Sequence, residues 1–159
     1  MITIKTIRFL HLISYLMVTS QVLFYLIVFS DALKLTSLDN FLEQRKVVEQ
    51  IIAARYKIIY LTCLVLSLVV VFISFKLNDR IFSVTAIIAL LCLLADLSIA
   101  LLGNIPINKQ ISLLAGQIDL SRWEALRADW LMFFRYRGIL TTVGMLSLLI
   151  GWIVEKKTN

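Results

Sequence analysis

The sequence predicts an all-α integral membrane protein built as a four-helix transmembrane bundle. Of its 159 residues, 60% are hydrophobic and 16% are charged, whereas soluble domains are nearer half apolar and a quarter charged. Four apolar runs are each long enough to cross a bilayer, which takes about 20 helical residues. They cover approximately residues 7–29, 57–75, 81–104 and 130–154. With one proline and five glycines the chain has no linker composition, so a single domain over residues 1–159 is expected.

The first apolar run shares one feature with a secretory signal peptide. Lys5 and Arg8 supply a basic start. The apolar stretch is longer than the roughly 7–15 residues typical of a signal peptide, and it lacks a convincing small-x-small cleavage site. We therefore expect it to be retained as the first transmembrane helix.

The charges outside the spans give the expected orientation. The bundle end that carries both termini and the tight second connection has six basic residues and two acidic ones, namely Lys5, Arg8, Lys76, Arg80, Lys156 and Lys157 with Asp79 and Glu155. The longer connections at the opposite end hold eight basic and seven acidic residues. The topology rule counts lysine and arginine, so the raw numbers weakly oppose cytoplasmic termini, whereas the short basic segments favour them. We expect cytoplasmic termini in a bacterial inner membrane.

The two longer connections are predicted to form a small helical cap. Residues 36–56 have apolar side chains at helical spacing, which predicts an amphipathic helix running into the second span. These apolar residues are Leu38, Phe41, Leu42, Val48, Ile51 and Ile52. Residues 105–129 place Ile107, Ile111, Leu114 and Ile118 on one face, and after Gly116 the capping-box pattern Ser121-Arg-Trp-Glu124 starts a helix leading into the fourth span. We name this side of the bundle the cap end and the other side the termini end.

Each span carries a stripe of small and polar residues at alternating steps of three and four. Such residues favour contact between helices in a membrane, because lipid tails are as apolar as leucine. Four stripes directed at one axis predict the bundle. In chain order they are His11, Ser14, Val18, Gln21 and Tyr25; Tyr56, Tyr60, Cys63, Ser67, Val70 and Ser74; Ala89, Cys92, Asp96, Ile99 and Gly103; and Trp130, Phe134, Arg137, Thr141, Gly144, Leu148 and Gly151.

Two charged residues in these stripes are predicted to lie at the same depth. Asp96 comes eight residues before the end of the third span and Arg137 seven after the start of the fourth, which places them about 12 and 10 Å below the cap end at 1.5 Å per residue. Intramembrane charges usually pair. We therefore predict an ion pair between Asp96 and Arg137, with Arg135 as the alternative partner. Gln21 and Tyr60 are expected to complete the network.

This polar network has two interpretations. It either holds two helices together or lines a pocket, since paired charges with amide, phenol and thiol neighbours exceed what packing requires. The same choice applies to Asn104 and Asn108, which flank the only proline. Pro106 is expected to end the third span. Both amides then either bond the carbonyls freed by that ending or face a cavity.

Other residues argue against several function classes. The net charge of +6 comes from residues that flank apolar runs, so it indicates anionic lipid and not nucleic acid. Cys63 and Cys92 lack metal-ligand spacing and are expected to be inert buried thiols. His11 is the only histidine, which argues against haem or metal ligation within one subunit and favours a structural role over proton transfer. No cofactor and no metal are expected.

One stretch of the chain resembles a known family. Asn104-Ile-Pro106-Ile-Asn108-Lys109, followed by Trp123 and by Trp130 with Arg137 seven residues later, is similar to the anthrone oxygenase-like family of small membrane proteins. The resemblance implies a four-span bundle with a cap. Its named members are cofactor-independent oxygenases that convert anthrones to anthraquinones. One position departs from the family pattern, because Phe134 stands where histidine or asparagine is usual.

These features predict a small membrane protein with a polar pocket that binds or oxidises a lipophilic small molecule, aromatic ones included. Arg137 would anchor an oxyanion or phenolate and Asp96 would balance its charge, so we assign both as catalytic. The expected substrate-binding residues are Asn104, Asn108, Trp130, Gln21 and Tyr60.

Two other functions are considered. The first is a structural or accessory membrane subunit whose Asp96–Arg137 network only holds the bundle together. The second, an ion path, is disfavoured because Ser67, Thr141 and His11 form only a sparse polar chain. The expected partners are membrane lipid and the lipophilic molecule, and a homo-oligomer is compatible with the sequence.

Overall fold

The protein is described from a computed structural model, which covers residues 3–113 and 120–154. These residues form helices and contain no strand. The helices are α1 (Ile4–Phe24), α2 (Ser30–Leu35), α3 (Leu38–Lys76), α4 (Arg80–Ile99), α5 (Ile105–Leu113) and α6 (Leu120–Ile153). Two π-helical turns, Tyr25–Phe29 and Ala100–Asn104, connect α1 to α2 and α4 to α5.

Side chains outside the apolar runs set where the helices begin. Thr3, Ser37 and Asp79 are in extended conformation, and each accepts a hydrogen bond from a backbone N–H in the first turn of the next helix. Such caps satisfy one of the N–H groups that a helix start leaves without a partner. Between α3 and α4 the chain reverses within three residues, where Asn78 adopts a φ of 55°. The second connection is therefore as tight as its sequence predicts.

Four segments of the described chain are long and apolar enough to cross a membrane. They are Ile4–Ala32, Ala54–Lys76, Arg80–Ser112 and Ser121–Ile153. Helix α1 contacts α3 and α6, and α4 contacts the same two helices, so the spans form a closed ring of four. The predicted four-helix transmembrane bundle is confirmed, and the chain is a multi-pass membrane protein. The orientation of its termini stays a prediction.

The predicted stripes face the interior of this ring. Most of their residues are buried, among them His11, Cys63, Ala89 and Thr141, and the others are half-buried. The large apolar residues between the stripes are exposed, as Phe72 (61%) and Leu91 (59%) illustrate. An exposed apolar surface with a polar interior is the arrangement that lipid favours. The inward-facing stripes were therefore predictable from residue type and spacing.

The termini end of the bundle is tightly packed. A cluster of buried residues, Tyr15, Val18, Cys63, Ala89, Leu93 and Leu148, fills its centre. The Tyr15 hydroxyl donates to the carbonyl of Ala89 at 3.1 Å. A Cβ placed on Gly144 would lie only 1.9 Å from that hydroxyl, so the glycine is what lets α6 approach α1 here.

The cap end is covered by a second apolar cluster. Phe41, Ile107, Ile111, Trp123, Trp130, Phe134 and Val22 are all buried in it, and we call this group the roof cluster. The rings of Phe41 and Trp123 are 4.8 Å apart. Their contact joins the start of α3 to the start of α6, which confirms that apolar residues of both connections pack together as a cap.

Helix α3 confirms one prediction about the connections. Several other predicted cap residues lie outside the described part of the chain. The amphipathic segment and the second span form one continuous helix of 39 residues, as its pattern predicted. The side chains of residues 45–53, which include Val48, Ile51 and Ile52, lie outside the described part, as do those of Leu38 and Leu42. Leu114, Gly116 and Ile118 of the third connection, and the C-terminal charges Glu155, Lys156 and Lys157, also fall outside the described residues.

The prediction that Pro106 ends the third span is wrong. The helical path continues from α4 through the π turn into α5, with Pro106 in the first turn of α5. The N–H of Ile105 bonds the carbonyl of Ala100, five residues earlier. This wide turn shifts the hydrogen-bond pattern just before the proline, and Pro is tolerated in a first helical turn because its N–H would lack a partner there anyway.

Candidate functional site

The charged centre of the site is an ion pair between α4 and α6. Nε of Arg137 lies 2.7 Å from Oδ1 of Asp96. Asp96 is completely buried and Arg137 is 7% exposed. The predicted pair is confirmed, while Arg135, the alternative partner, is exposed on the other side of α6. Equal depth, worked out from the span ends, was enough to find the two residues.

Tyr60 of α3 bonds both members of the pair, so that Tyr60, Asp96 and Arg137 form a hydrogen-bonded triad. Its hydroxyl donates to Oδ2 of Asp96 at 2.7 Å and accepts from Nη2 of Arg137 at 2.8 Å. Both carboxylate oxygens of Asp96 are thereby bonded. Gln21 was expected in this network but forms no hydrogen bond to its three members. The structure therefore joins α3, α4 and α6 through charged and phenolic groups, and leaves α1 out.

The two asparagines of the motif bond to α6. The Asn104 amide donates to the carbonyl of Trp130 at 3.1 Å and its oxygen lies 3.4 Å from Nη1 of Arg137. Asn108 accepts from the Trp130 indole N–H at 2.8 Å. Neither amide bonds a carbonyl at the end of its own helix, so the helix-capping alternative is wrong. Instead, Asn108 fixes the indole of Trp130, and Asn104 bonds the backbone carbonyl of the same residue and lies beside Arg137.

The second π turn and a glycine bring these groups together. A Cβ on Gly103 would lie 2.7 Å from the ring of Phe133, so α4 and α6 approach closely one residue before Asn104. Because the π turn closes over five residues rather than four, it rotates α5 relative to α4. This local geometry lets the side chains of Asn104 and Asn108 reach the same tryptophan.

A cavity of about 1080 Å³ lies beside this network at the cap end. Its wall is built by α1 and its π turn, α3, α4 and its π turn, α5 and α6. Six of the seven predicted site residues are on the wall: Gln21, Tyr60, Asn104, Asn108, Trp130 and Arg137. The seventh, Asp96, is behind Arg137 and off the wall. Asp96 therefore positions Arg137 and does not face whatever occupies the cavity.

One wall of the cavity is aromatic. The rings of Trp130 and Phe134 are 4.3 Å apart, and Tyr25 lies 5.2 Å from Phe134 and 6.0 Å from Trp130. The guanidinium carbon of Arg137 is 5.0 Å from the centre of the Phe134 ring. The position where the resembling family usually has a polar residue thus holds a ring that stacks beside the arginine, and it supplies apolar surface instead of a hydrogen-bonding group.

Sequence reasoning missed several residues of the wall. Tyr25 and Phe134 were assigned to helix contacts, and Lys57 and Phe41 were not considered for the site. A signal existed for two of them, since Lys57 and Phe134 lie one helical turn from Tyr60 and Arg137 on the same faces. Phe41 carries no such signal, because only the folding of the cap brings it to the cavity.

The remaining candidates lie elsewhere. His11 is buried at the termini end, with Nε2 2.8 Å from the hydroxyl of Ser67, so its predicted structural role fits its contacts. Cys63 is buried and Cys92 half-buried, and both are free thiols. Across residues 3–113 and 120–154, no three histidine, cysteine, aspartate or glutamate side chains cluster at metal-ligand distance.

Comparison of the chain with family models, with curated proteins and with solved structures found no match. The resemblance to the anthrone oxygenase-like family rests on its motif residues alone and stays a prediction.

Proposed function

We propose that this membrane protein binds a lipophilic small molecule in the cavity at its cap end. The observation that carries the proposal is the cavity itself, about 1080 Å³ in a bundle of 159 residues. Protein interiors are packed to the density of organic crystals, and small-molecule sites are concave, mostly apolar volumes with a few convergent polar groups. A network that only held helices together would not require such a volume.

The polar groups of the wall supply directed contacts. Arg137 has five N–H donors, and its three partners among the described residues are Asp96, Tyr60 and Asn104. Two N–H groups are left for an oxygen atom of the bound molecule. Gln21 adds an amide to the wall from α1, the helix next to α6. A carbonyl, phenol or acidic oxygen on an otherwise apolar molecule suits this arrangement.

Oxidation of a bound aromatic molecule is the second candidate, supported by the aromatic wall and by the family resemblance. In that reaction the methylene carbon of an anthrone loses two hydrogens and gains one oxygen atom from O₂, and the other oxygen atom leaves as water. The step needs a base for the methylene proton. Among the described residues, the wall carries no carboxylate and no histidine, and both oxygens of Asp96 are bonded. The geometry therefore favours binding over oxidation.

A cavity-filling variant tests the binding proposal. Ala100 lies on the wall, and Ala100→Phe should reduce the amount of co-purified small molecule detected by native mass spectrometry. The matched control is Ser98→Phe on the same helix, where the side chain is exposed. Equal retention by Ala100→Phe, Ser98→Phe and the native protein, or no bound molecule in any of them, would contradict the proposal.

The oxidation candidate has its own test. Purified protein mixed with an anthrone in air should raise the rate of anthraquinone formation and of O₂ consumption in equal molar amounts. Arg137→Gln should lower this rate. Its matched control is Tyr136→Phe, at an exposed position one residue away. A rate equal to that of buffer with detergent excludes oxidation and leaves the binding proposal standing.

A further inference from the structure

Within the described part of the chain, packed side chains lie at both ends of the cavity along the bundle axis. Toward the cap end the roof cluster covers it, with Phe41 6%, Trp123 2% and Ile111 1% exposed. Toward the termini end Tyr60 and Arg137 form its floor, with Asp96 behind Arg137, and the packed cluster around Tyr15 lies beyond that floor. These packed groups leave the side of the bundle as the more open route to the cavity.

The cavity is open on its sides, toward lipid. Three apolar residues of its wall are more than half exposed: Phe24 of α1 (52%), Leu61 of α3 (59%) and Leu101 of the second π turn (53%). They belong to α3 and to the two segments on either side of it. Because their other faces form the lipid-contacting surface of the bundle, the cavity reaches the hydrocarbon next to α3.

The charge of the wall is positive. Its charged residues, within the described part of the chain, are Lys57 and Arg137. Asp96 neutralises Arg137 from behind, whereas Lys57 is exposed. Lys57 lies one turn from Tyr60 toward the cap end of α3, about 4.5 Å along the axis at 1.5 Å per residue. An anionic group placed between Lys57 and Arg137 would gain charge-assisted hydrogen bonds at the edge of the hydrocarbon.

We propose that the occupant of the cavity is a single-chain anionic amphiphile that enters sideways from the cap-side leaflet. Its carboxylate or phosphate head binds between Lys57 and the free N–H groups of Arg137, and its apolar chain leaves past Leu61 into the lipid. This inference rests on the proposed binding function and adds to it the route and the ligand class. The aromatic wall of Tyr25 and Phe134 contacts the part of the ligand's apolar chain nearest its head group.

Three probes of equal chain length separate charge from hydrophobicity. The protein in nanodiscs is titrated with oleate, with oleoyl lysophosphatidate and with monoolein, and binding is followed by native mass spectrometry. Oleate or lysophosphatidate should bind at least about tenfold more tightly than neutral monoolein, since truncating one partner of a desolvated charge pair is costly. The tighter of the two anions names the head group.

Two pairs of variants test where the anionic head group of the ligand binds and where the cavity opens toward lipid. Lys57→Gln should weaken binding of the anionic probe about fivefold or more, while Lys109→Gln, exposed at the cap end and off the wall, should leave it unchanged. Leu61→Trp should reduce retention of the probe by narrowing the side opening. Its control is Leu68→Trp, two turns along the same face of α3, where Leu68 is 53% exposed and off the wall.

The outcomes separate this inference from the binding function. Monoolein binding as tightly as oleate, or Lys57→Gln equal to Lys109→Gln, overturns the anionic class while the binding function stands. Leu61→Trp equal to Leu68→Trp overturns the sideways route. If no probe binds and the native protein also matches Ala100→Phe in retained small molecule, both the inference and the binding function fail.

Discussion

The two ends of this bundle place different groups in the same membrane interior. At the cap end the interior holds an ion pair, a phenol and two amides beside a cavity of about 1080 Å³. At the termini end it holds hydroxyls, one imidazole, glycines and the guanidinium of Arg8 stacked on Phe82, all in close contact with neighbouring side chains. The same four helices therefore form a tightly packed termini end and a cap end with a large cavity.

This difference shows which polar groups serve stability and which are available to a ligand. The hydroxyls of Ser14, Ser67 and Thr19 donate to backbone carbonyls of their own helices and need nothing from outside. Arg137 and Gln21 sit on a cavity wall with donors to spare. Polar residues in a membrane are costly, so unused donors beside a cavity are better explained by a ligand than by packing.

The largest effect is expected from removing one member of the ion pair. Arg137→Ala leaves the Asp96 carboxylate buried without its cation and should lower the free energy of unfolding by about 3–5 kcal/mol, measured by denaturation in mixed micelles. Arg135→Ala, at the exposed neighbouring position, should change it by less than about 0.5 kcal/mol.

A double variant tells the two roles of the pair apart. Asp96→Asn with Arg137→Gln removes both charges together, so it should be more stable than Arg137→Ala while still losing the bound small molecule. A double variant that retains the molecule would assign the pair to stability alone.

A phenylalanine introduced at each end of the bundle should lower the free energy of unfolding by unequal amounts. Ala89 is completely buried at the packed end, and Ala89→Phe should cost about 3 kcal/mol or more of unfolding free energy, because overpacking forces strain. Ala100→Phe projects into the cavity and should cost less than about 1 kcal/mol. Thermal unfolding in detergent measures both, and equal losses would show that the two ends are packed alike.

A smaller effect is expected at the close contact between α6 and α1. Gly144→Ala puts a methyl group 1.9 Å from the Tyr15 hydroxyl and should cost about 1–2 kcal/mol. Tyr15→Phe in the same chain should recover part of that loss, since it removes the clashing oxygen. As a control, Gly138→Ala is crowded by the end of the flexible Leu26 side chain and otherwise makes ordinary contact with Val22, so it should cost less. No recovery in the double variant would place the strain elsewhere.

The smallest effect concerns the buried histidine. Ser67→Ala removes the hydroxyl that lies 2.8 Å from His11 Nε2 and should cost about 0.6 kcal/mol, the average for hydrogen bonds between membrane helices, and at most about 1.7 kcal/mol. Ser98→Ala, whose exposed hydroxyl bonds only its own helix, is the control. A loss as large as that of Arg137→Ala would mean that His11 matters more than its contacts indicate.

Much of the bundle was predictable because one rule applies to every span. Small and polar residues at steps of three and four face inward in lipid, and this rule placed His11, Cys63, Ala89 and Thr141 correctly. The Asp96–Arg137 pair followed from depth alone. These predictions need only the period of the helix and the thickness of the membrane.

Two features were not predicted, and both depend on contacts between distant segments: the extent of the cavity and the path of the chain through Pro106. A pocket among the polar residues was predicted, but its aromatic wall and its cover were not, because they depend on the packing of Phe41 on Trp123 above an unfilled interior. The path through Pro106 depends on a π turn, whose wider hydrogen-bond ring has no clear signature in residue type. Proline alone favoured an ending, and the tertiary contacts of Gly103 and Asn104 prevailed over that preference.

The π turn at Ala100–Asn104 also has a consequence for how this protein can change over generations. A π turn holds one residue more than a regular helical turn, so loss of a single residue there would restore the α-helix. Because the wider turn already absorbs that residue, the helix after it would keep nearly its present orientation toward Trp130. A residue gained or lost in the regular part of α4 would instead rotate everything after it by about 100°, so the π turn is the place beside the cavity where the length of the chain can change with the least effect on the binding wall.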